Sequence, residues 1–294
     1  MGDQGASPRS SAEEARSVNA PPHERSVWGY LPGAMLPISL LTDFGWTDTY
    51  VGQMKAALLQ VAPTALLVDL THAVPAQDVR AGAFLLWSAV EAFAPGSLHL
   101  AVVDPGVGST RRAVAARSRR GDVLVGPDNG LLVPALEQLG GLAEAVELTE
   151  PAYWGPRKSR TFHGRDLFAP VVGHLATGVP LERLGRALHH LESPFSFPPP
   201  REEDGYPVGE VLHVDTYGNL VTNLPGALLP PRFRVHLGST LISDAPHAHY
   251  QVVASGEPLS LVGSAGLLEV SVRDGSAAAV LGVGRGARVR IEPG

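Results

Sequence analysis

Cysteine is absent from the 294 residues, which removes disulfides, thiol nucleophiles and cysteine-ligated zinc from consideration. No apolar run reaches the roughly 18 residues that a membrane-spanning helix needs. There is no long basic tract or arginine stripe, and the net charge is −6 with a pI near 6.0; a nucleic-acid polyanion is therefore excluded as partner. Lysine occurs only at Lys55 and Lys158 while Arg, Ala, Gly and Pro abound, a GC-rich coding bias that carries no functional information. The first 20 residues are polar and lack the apolar stretch of a signal peptide, so the expected location is the cytoplasm. Also missing are a GxxxxGK[ST] loop, a GxGxxG after a strand, an HExxH and a GxSxG elbow. Phosphate-loop, dinucleotide, zincin and α/β-hydrolase chemistries have no support.

What is present is enough apolar sequence, 44% hydrophobic, for one large or two ordinary cores. Residues 1–36 are rich in Ser, Pro, Ala, Glu and Arg and are expected to form a disordered tail. Met35 lies just ahead of the first strand, so an over-extended start site is also expected; N-terminal peptides of the natural protein would test it. Strands are predicted over 37–41, 65–70, 98–103, 113–116, 123–125 and 145–148, the fourth and fifth as a hairpin across a solvated Arg119-Arg120-Gly121-Asp122 turn. Helices are predicted over 50–61, 79–92, from Asn129-Gly130 through Leu139, and over 166–176. Strands alternating with helices imply an α/β domain over 37–192, with a mostly parallel sheet flanked by helices. A Pro-rich, acidic linker is expected over 193–204. Beyond it short strands and turns, among them 209–214, 233–237, 240–242, 267–272 and 287–291, imply a smaller all-β, barrel-like domain over 205–294.

The residues with chemical potential cluster at strand ends. Asp104 follows the strand over 98–103 and opens Asp104-Pro105-Gly106-Val107-Gly108-Ser109-Thr110-Arg111. Ligands of open α/β sheets bind outside the carboxyl ends of the strands, and an arginine beside the carboxylate keeps it ionised and oriented. A structural ion pair is the alternative. His163 lies in Thr161-Phe162-His163-Gly164-Arg165-Asp166, between Arg160 and Arg165; Arg165 and Asp166 read as scaffold. Asp43 closes the first strand, placed either to bind ribose hydroxyls or to cap the next helix. Asp48 is a cap or an ammonium ligand, His72 a structural hydrogen-bonding residue, a ligand or a base, and Asp78 a helix cap. In the β domain, Asp215-Thr216-Tyr217-Gly218-Asn219 offers acceptors, an amide and a stacking face, or simply a turn. Ser264 and Arg273 stand in further glycine-containing loops.

In order and spacing, these segments resemble the S-adenosyl-L-methionine (SAM) hydrolases that form adenosine, the SAM hydroxide adenosyltransferases, relatives of the SAM-dependent fluorinase and chlorinase. The motifs are Thr42-Asp43-Phe44-Gly45, Val68-Asp69-Leu70-Thr71-His72, Asp104-Pro105-Gly106-Val107-Gly108, Pro127-Asp128-Asn129-Gly130, Thr161-Phe162-His163-Gly164-Arg165-Asp166 and Tyr217-Gly218-Asn219. The resemblance runs from about Ile38 to Ile291. It implies an Asp104–Arg111–His163 triad around an attacking water, Asp43 on the ribose, Asp48 and Asp215 near the methionine ammonium, and Tyr217 and Asn219 at the adenine. Phe162, Ser264 and Arg273 complete the candidate substrate contacts. The halogenases carry Tyr at 104, Tyr at 163 and Ser at 164, plus a long insertion that 112–127 is too short to hold, so hydrolysis is implied rather than halogenation. Gln77 and Tyr50 depart from the halogenase pattern. The resemblance further implies a homotrimer with the site between subunits, SAM as substrate, and no cofactor or metal. Two other readings stay open: a divalent-metal phosphoesterase using Asp43, Asp104, Asp128 and His163, and a non-catalytic SAM or adenosine sensor.

Overall fold

The computed structural model describes residues 36–157 and 159–293; the expected tail over 1–35 lies outside the described residues. The N-terminal part is built on a seven-stranded sheet of order β2-β1-β3-β5-β4-β6-β7. Its strands are β1 (Ile38–Thr42), β2 (Leu67–Thr71), β3 (Leu98–Val102), β4 (Ala113–Ser118), β5 (Val123–Pro127), β6 (Leu142–Glu147) and β7 (Arg186–Leu188). Helices α1 (Tyr50–Val61), α2 (Val79–Val90), α3 (Val133–Gln138) and α4 (Ala169–Ala176) flank it. Residues alternate between the two sheet faces. Leu40, Leu100 and Val102 join Met54, Leu58, Phe168 and Val172 in one core, while Leu41, Ala101 and Val103 join Leu86, Val90, Leu131 and Leu136 in the other. Burial on both faces explains why the central strands read as nearly continuous apolar runs; the polar interruptions Ser39 and His99 are fully buried and bonded to each other at 2.7 Å.

The sheet is mixed, which corrects the expectation of a mostly parallel one. β2, β1, β3 and β5 are parallel neighbours, whereas β5–β4, β4–β6 and β6–β7 pair antiparallel. The cause is local. Only the Arg119–Asp122 turn joins β4 to β5, and a connection that short permits an antiparallel hairpin but no parallel crossover. Nor is this turn wholly solvated. Arg120 donates from Nε at 2.8 Å and from Nη2 at 2.9 Å to Asp122, whose side chain is fully buried.

The C-terminal part is an eight-stranded antiparallel sheet curled into a nearly closed barrel. Its strands are β8 (Arg201–Glu203), β9 (Tyr206–Val214), β10 (Leu220–Pro225), β11 (Phe233–Leu237), β12 (Thr240–Ser243), β13 (Pro258–Val262), β14 (Leu267–Val272) and β15 (Arg288–Pro293), with a short helix α5 (Ala277–Leu281). At the open seam, the His247 amide beyond β12 donates to the Ser260 carbonyl on β13 at 2.9 Å. The Pro-rich stretch is pinned rather than free. β8 begins within it, and Phe197 packs with Phe84, Trp87, Leu212, Val221 and Leu267 between the two sheets. His213 stacks on Phe84 at 4.7 Å, and Arg285 pairs with Asp78 at 2.9 Å, which also caps α2 by accepting from the Ala81 amide.

At the sheet edge opposite the strand carboxyl ends, Asp122 is the fully buried charge. Burial opposes its ionisation, yet the His99 ring 3.5 Å away and the hydrogen bonds and charge of Arg120 outweigh burial and pull its pKa down to about 2. Its ionised form is favoured by folding, so the stabilisation is complete above about pH 4 and is lost as pH falls through about 2. Asp122→Asn is expected to cost about 2 kcal/mol at pH 7. In urea melts, the difference from the parent protein should shrink steadily between about pH 4 and pH 2; a constant difference would contradict this account.

Candidate active site

The site grows out of the strand register. β1 and β3 are parallel neighbours with Thr42 opposite Val102, so Asp43, one residue past β1, and Asp104, two past β3, emerge at the same edge. The loop after β1 is braced from below. Thr42 Oγ1 meets His72 Nδ1 at 2.7 Å, His72 Nε2 meets Asp69 at 3.1 Å, and Lys55 Nζ donates to Asp69 at 2.6 Å. His72 is fully buried in this chain of bonds, a structural role and not that of a base.

Asp104 to Arg111 folds back through a tight turn. The Val107 amide bonds to the Asp104 carbonyl at 3.2 Å and the Ser109 amide to the Gly106 carbonyl at 3.1 Å. Gly108 has φ +78°, and a Cβ there would collide with the Arg160 carbonyl. Glycine is thus required twice over, and it lets the segment carrying His163 lie against the turn. Arg111 then reaches both partners. Its Nε donates to Asp104 Oδ1 at 2.9 Å and Oδ2 at 3.0 Å, its Nη2 donates to Asp104 Oδ2, and the same Nη2 lies 2.8 Å from His163 Nδ1. The guanidinium sits 5.3 Å from the centroid of the buried Phe168 ring.

Arginine only donates, so His163 Nδ1 accepts. The imidazole is therefore neutral and carries its proton on Nε2. Its pKa is lowered by burial first and by the Arg111 charge second, with Asp104 and Asp166 opposing. His163 precedes a π-helical turn, Gly164–Phe168, that runs into α4; such turns recur at functional sites. Arg165 holds Asp166 in two bonds, 2.6 and 3.0 Å, and donates to Gln53 at 2.8 Å, while Asp166 accepts from the Ser159 amide at 2.9 Å. These two residues are scaffold, tethering the turn that follows His163.

A pocket of about 240 Å³ opens beside Asp104 and His163, walled by Asp43, Phe44, Gln77 and Phe162 among others. Asp43 accepts from the Gln77 amide at 2.8 Å, and Gln77 holds φ +65°. A non-glycine residue in that region costs on the order of 1–3 kcal/mol, here beside the pocket. Phe44, Tyr50 and Phe162 form an edge-to-face trio with centroids 5.2–6.2 Å apart. The structure thus unites Asp43, Asp104, Arg111, Phe162 and His163. It does not bring the other candidates to this pocket within one chain. Asp48 is exposed ahead of α1. Asp215 accepts from the Tyr217 and Asn219 amides at 2.9 and 2.8 Å and from the Asn219 side chain at 2.9 Å. Tyr217 projects from that turn 79% exposed. Ser264 is exposed on the loop after β13, and Arg273 donates to the Val253 carbonyl at 2.7 Å.

The metal reading meets a specific obstacle. Asp128 is committed to Arg112 Nε at 2.7 Å and to the Glu192 amide at 2.8 Å. Among the described residues no three His, Asp or Glu side chains converge as a metal ion requires. Sequence reasoning did not find the roles of Phe44 and of the Gln77 backbone. Their signals are spatial, and no spacing in the chain announces them.

The SAM hydroxide adenosyltransferase N-terminal domain model matches residues 38–185, and the C-terminal domain model matches 209–290. The chain belongs to the SAM hydroxide adenosyltransferase family. It is 44% identical to the (R)-S-adenosyl-L-methionine hydrolase of Salinispora arenicola over 87% of this chain and 98% of that one. With the enzyme of the same name from Thermus thermophilus it shares 42% over 87% and 100%. A fluorinase of an Actinoplanes species is more distant, at 28% over 80% and 90%. Among solved structures, an uncharacterized conserved protein from Thermotoga maritima superposes with a TM-score of 0.81 at 37% identity, over 86% of this chain and 99% of that one.

Protonating His163 would abolish its acceptance from Arg111 and set two cations together. Its titration, followed by NMR of the ring protons, is expected below 6.5. In Arg111→Leu, with the charge removed, it should move upward; an unchanged value would contradict the coupling.

Proposed function

We propose that the protein hydrolyses SAM to adenosine and L-methionine, with water attacking C5′ in line with the departing sulfur. The observation that carries this reading is the guanidinium of Arg111 bonded at once to Asp104 and His163 on the wall of a pocket that also holds Asp43. The names of the relatives at 42–44% identity extend it to the (R)-sulfonium epimer.

A sulfonium leaves readily, so the barrier lies in water as nucleophile. Holding that water beside C5′ makes the step effectively unimolecular. Arg111 occupies His163 Nδ1 and the imidazole proton sits on Nε2, so His163 is a donor that orients the water rather than a base that deprotonates it. Asp104 retains lone pairs beyond those Arg111 uses and takes the proton as the O–C5′ bond forms. The C5′–S pair leaves with methionine. Asp43 binds the ribose hydroxyls, and Phe162 supports the sugar and base. No cofactor or metal takes part.

Asp48 of the same chain, together with Asp215, Tyr217, Asn219, Ser264 and Arg273 from a neighbour's barrel that covers this pocket, completes the site in a homotrimer. The 79% exposure of Tyr217, held out by a well-bonded turn, supports this arrangement. We place the enzyme in the cytoplasm. No helix among the described residues is long and apolar enough to cross a membrane.

Purified protein with SAM should yield adenosine and methionine equally with and without EDTA; SAM binding without turnover would favour the sensor reading. Asp104→Ala should lower kcat by about 10²–10⁴ while SAM affinity by calorimetry stays close to that of the parent. Equal loss of both would contradict the role given to Asp104. Asp104→Ala and Asn219→Ala, each inactive alone, should regain about a quarter of parent activity when coexpressed, as a heterologous interface requires. No recovery from mixed oligomers would refute the shared site.

A further inference from the structure

Gly164 is not glycine for backbone reasons. It opens the π-helical turn without a left-handed φ, so any residue could adopt its conformation. It is glycine for want of room. A Cβ built there would lie 2.9 Å from Phe44 Cζ, 3.1 Å from Phe44 Cε2 and 3.4 Å from Phe162 Cε2. Nor can the Phe44 ring yield freely. It packs edge-on to Phe162 at 5.6 Å and to Tyr50 at 6.2 Å, Tyr50 closes on Phe162 at 5.2 Å, and Arg165 caps Phe162 at 4.8 Å. Phe44 also packs on the core under α1 and α4. Phe44 and Gly164 both wall the pocket that holds Asp104 and His163. The ring edge thus fills the volume that a side chain at 164 would otherwise occupy, immediately after His163.

We propose that Phe44 is a specificity-determining residue: its ring, seated on Gly164, sets the size of the nucleophile's slot so that water enters and larger nucleophiles do not. The inference rests on the SAM-hydrolysis reading and adds a residue with no titratable group to it. A close-packed wall discriminates by volume, and the room of one methylene group in a hydrophobic pocket is worth roughly 10–200-fold.

Azide is a suitable probe. It is longer than water and carries no proton to be removed. Its terminal nitrogen would form the bond to C5′ as the C5′–S bond breaks, the electron pair leaving with methionine, to give 5′-azido-5′-deoxyadenosine. The experiment incubates SAM with fixed azide and measures the ratio of azido product to adenosine by chromatography, a ratio independent of how much enzyme is folded. Phe44→Leu and Phe44→Ala are expected to raise it by about tenfold or more over the parent. Gly164→Ala is expected to lower kcat, and Phe44→Leu/Gly164→Ala to recover part of that loss, because the smaller side chain makes room for the methyl group. A product ratio in both Phe44 variants within roughly twofold of the parent's, well short of the tenfold that the room of one methylene group is worth, would overturn the proposal, as would strictly additive losses in the double variant. Adenosine formation by the parent protein is the control: its absence defeats the hydrolase reading, whereas its presence with an unchanged ratio defeats only the role of Phe44.

Discussion

One guanidinium ties the candidate site together. Arg111 spends three hydrogen bonds on Asp104 and one on His163, and each constrains what the other groups can be. Since arginine cannot accept, His163 must be neutral with its proton on Nε2. Since the guanidinium lies over Phe168 in a largely buried setting, its charge is felt at short range with little screening. Without it, a carboxylate and an imidazole at the same edge would have no fixed protonation pattern. The surrounding fold delivers these three side chains to one point and keeps them there.

Two independent devices achieve that delivery. The parallel register of β1 and β3 brings Asp43 and Asp104 to a common edge, and the His72–Asp69–Lys55 chain stiffens the loop beneath. The glycine turn over 106–108 and the scaffold pair Arg165–Asp166 then bring together segments some fifty residues apart in sequence. Gly108 permits the close approach by lacking a Cβ, and the Asp166 bond to the Ser159 amide shapes the loop that ends at His163. The left-handed Gln77, whose amide is aimed at Asp43, is the strain that such convergence leaves behind.

Within one chain the barrel supplies no wall to the pocket that holds Asp104 and His163. Phe84, Trp87, Phe197 and His213 weld it to α2, with Arg285 and Asp78 as a polar rivet. Its Asp215–Asn219 turn is bonded internally and holds Tyr217 out to solvent. The turn is rigid, and it presents a large aromatic ring to solvent.

Much of this was legible in the chain. The periodicities mark α1, α2, the buried central strands and the β4–β5 hairpin, because each follows from local spacing of apolar residues and from a turn with a glycine at φ +101°. The Asp104–Arg111 pair was legible as an acid and an arginine bracketing a glycine turn, whereas His163 joined them only through the family resemblance; the structure sets the three within hydrogen-bonding distance. Tertiary structure alone decided the rest. The mixed sheet begins in the local β4–β5 hairpin, but the antiparallel docking of β6 on β4 and of β7 on β6 is a non-local choice. β8, with only Arg201, Glu202 and Glu203, owes its existence to pairing with β9 rather than to propensity. The tautomer of His163 depends on which atom Arg111 reaches across 52 residues. That Gly164 is small on account of Phe44 is a fact of space between residues 120 apart, and linear sequence carries no distance information of that kind.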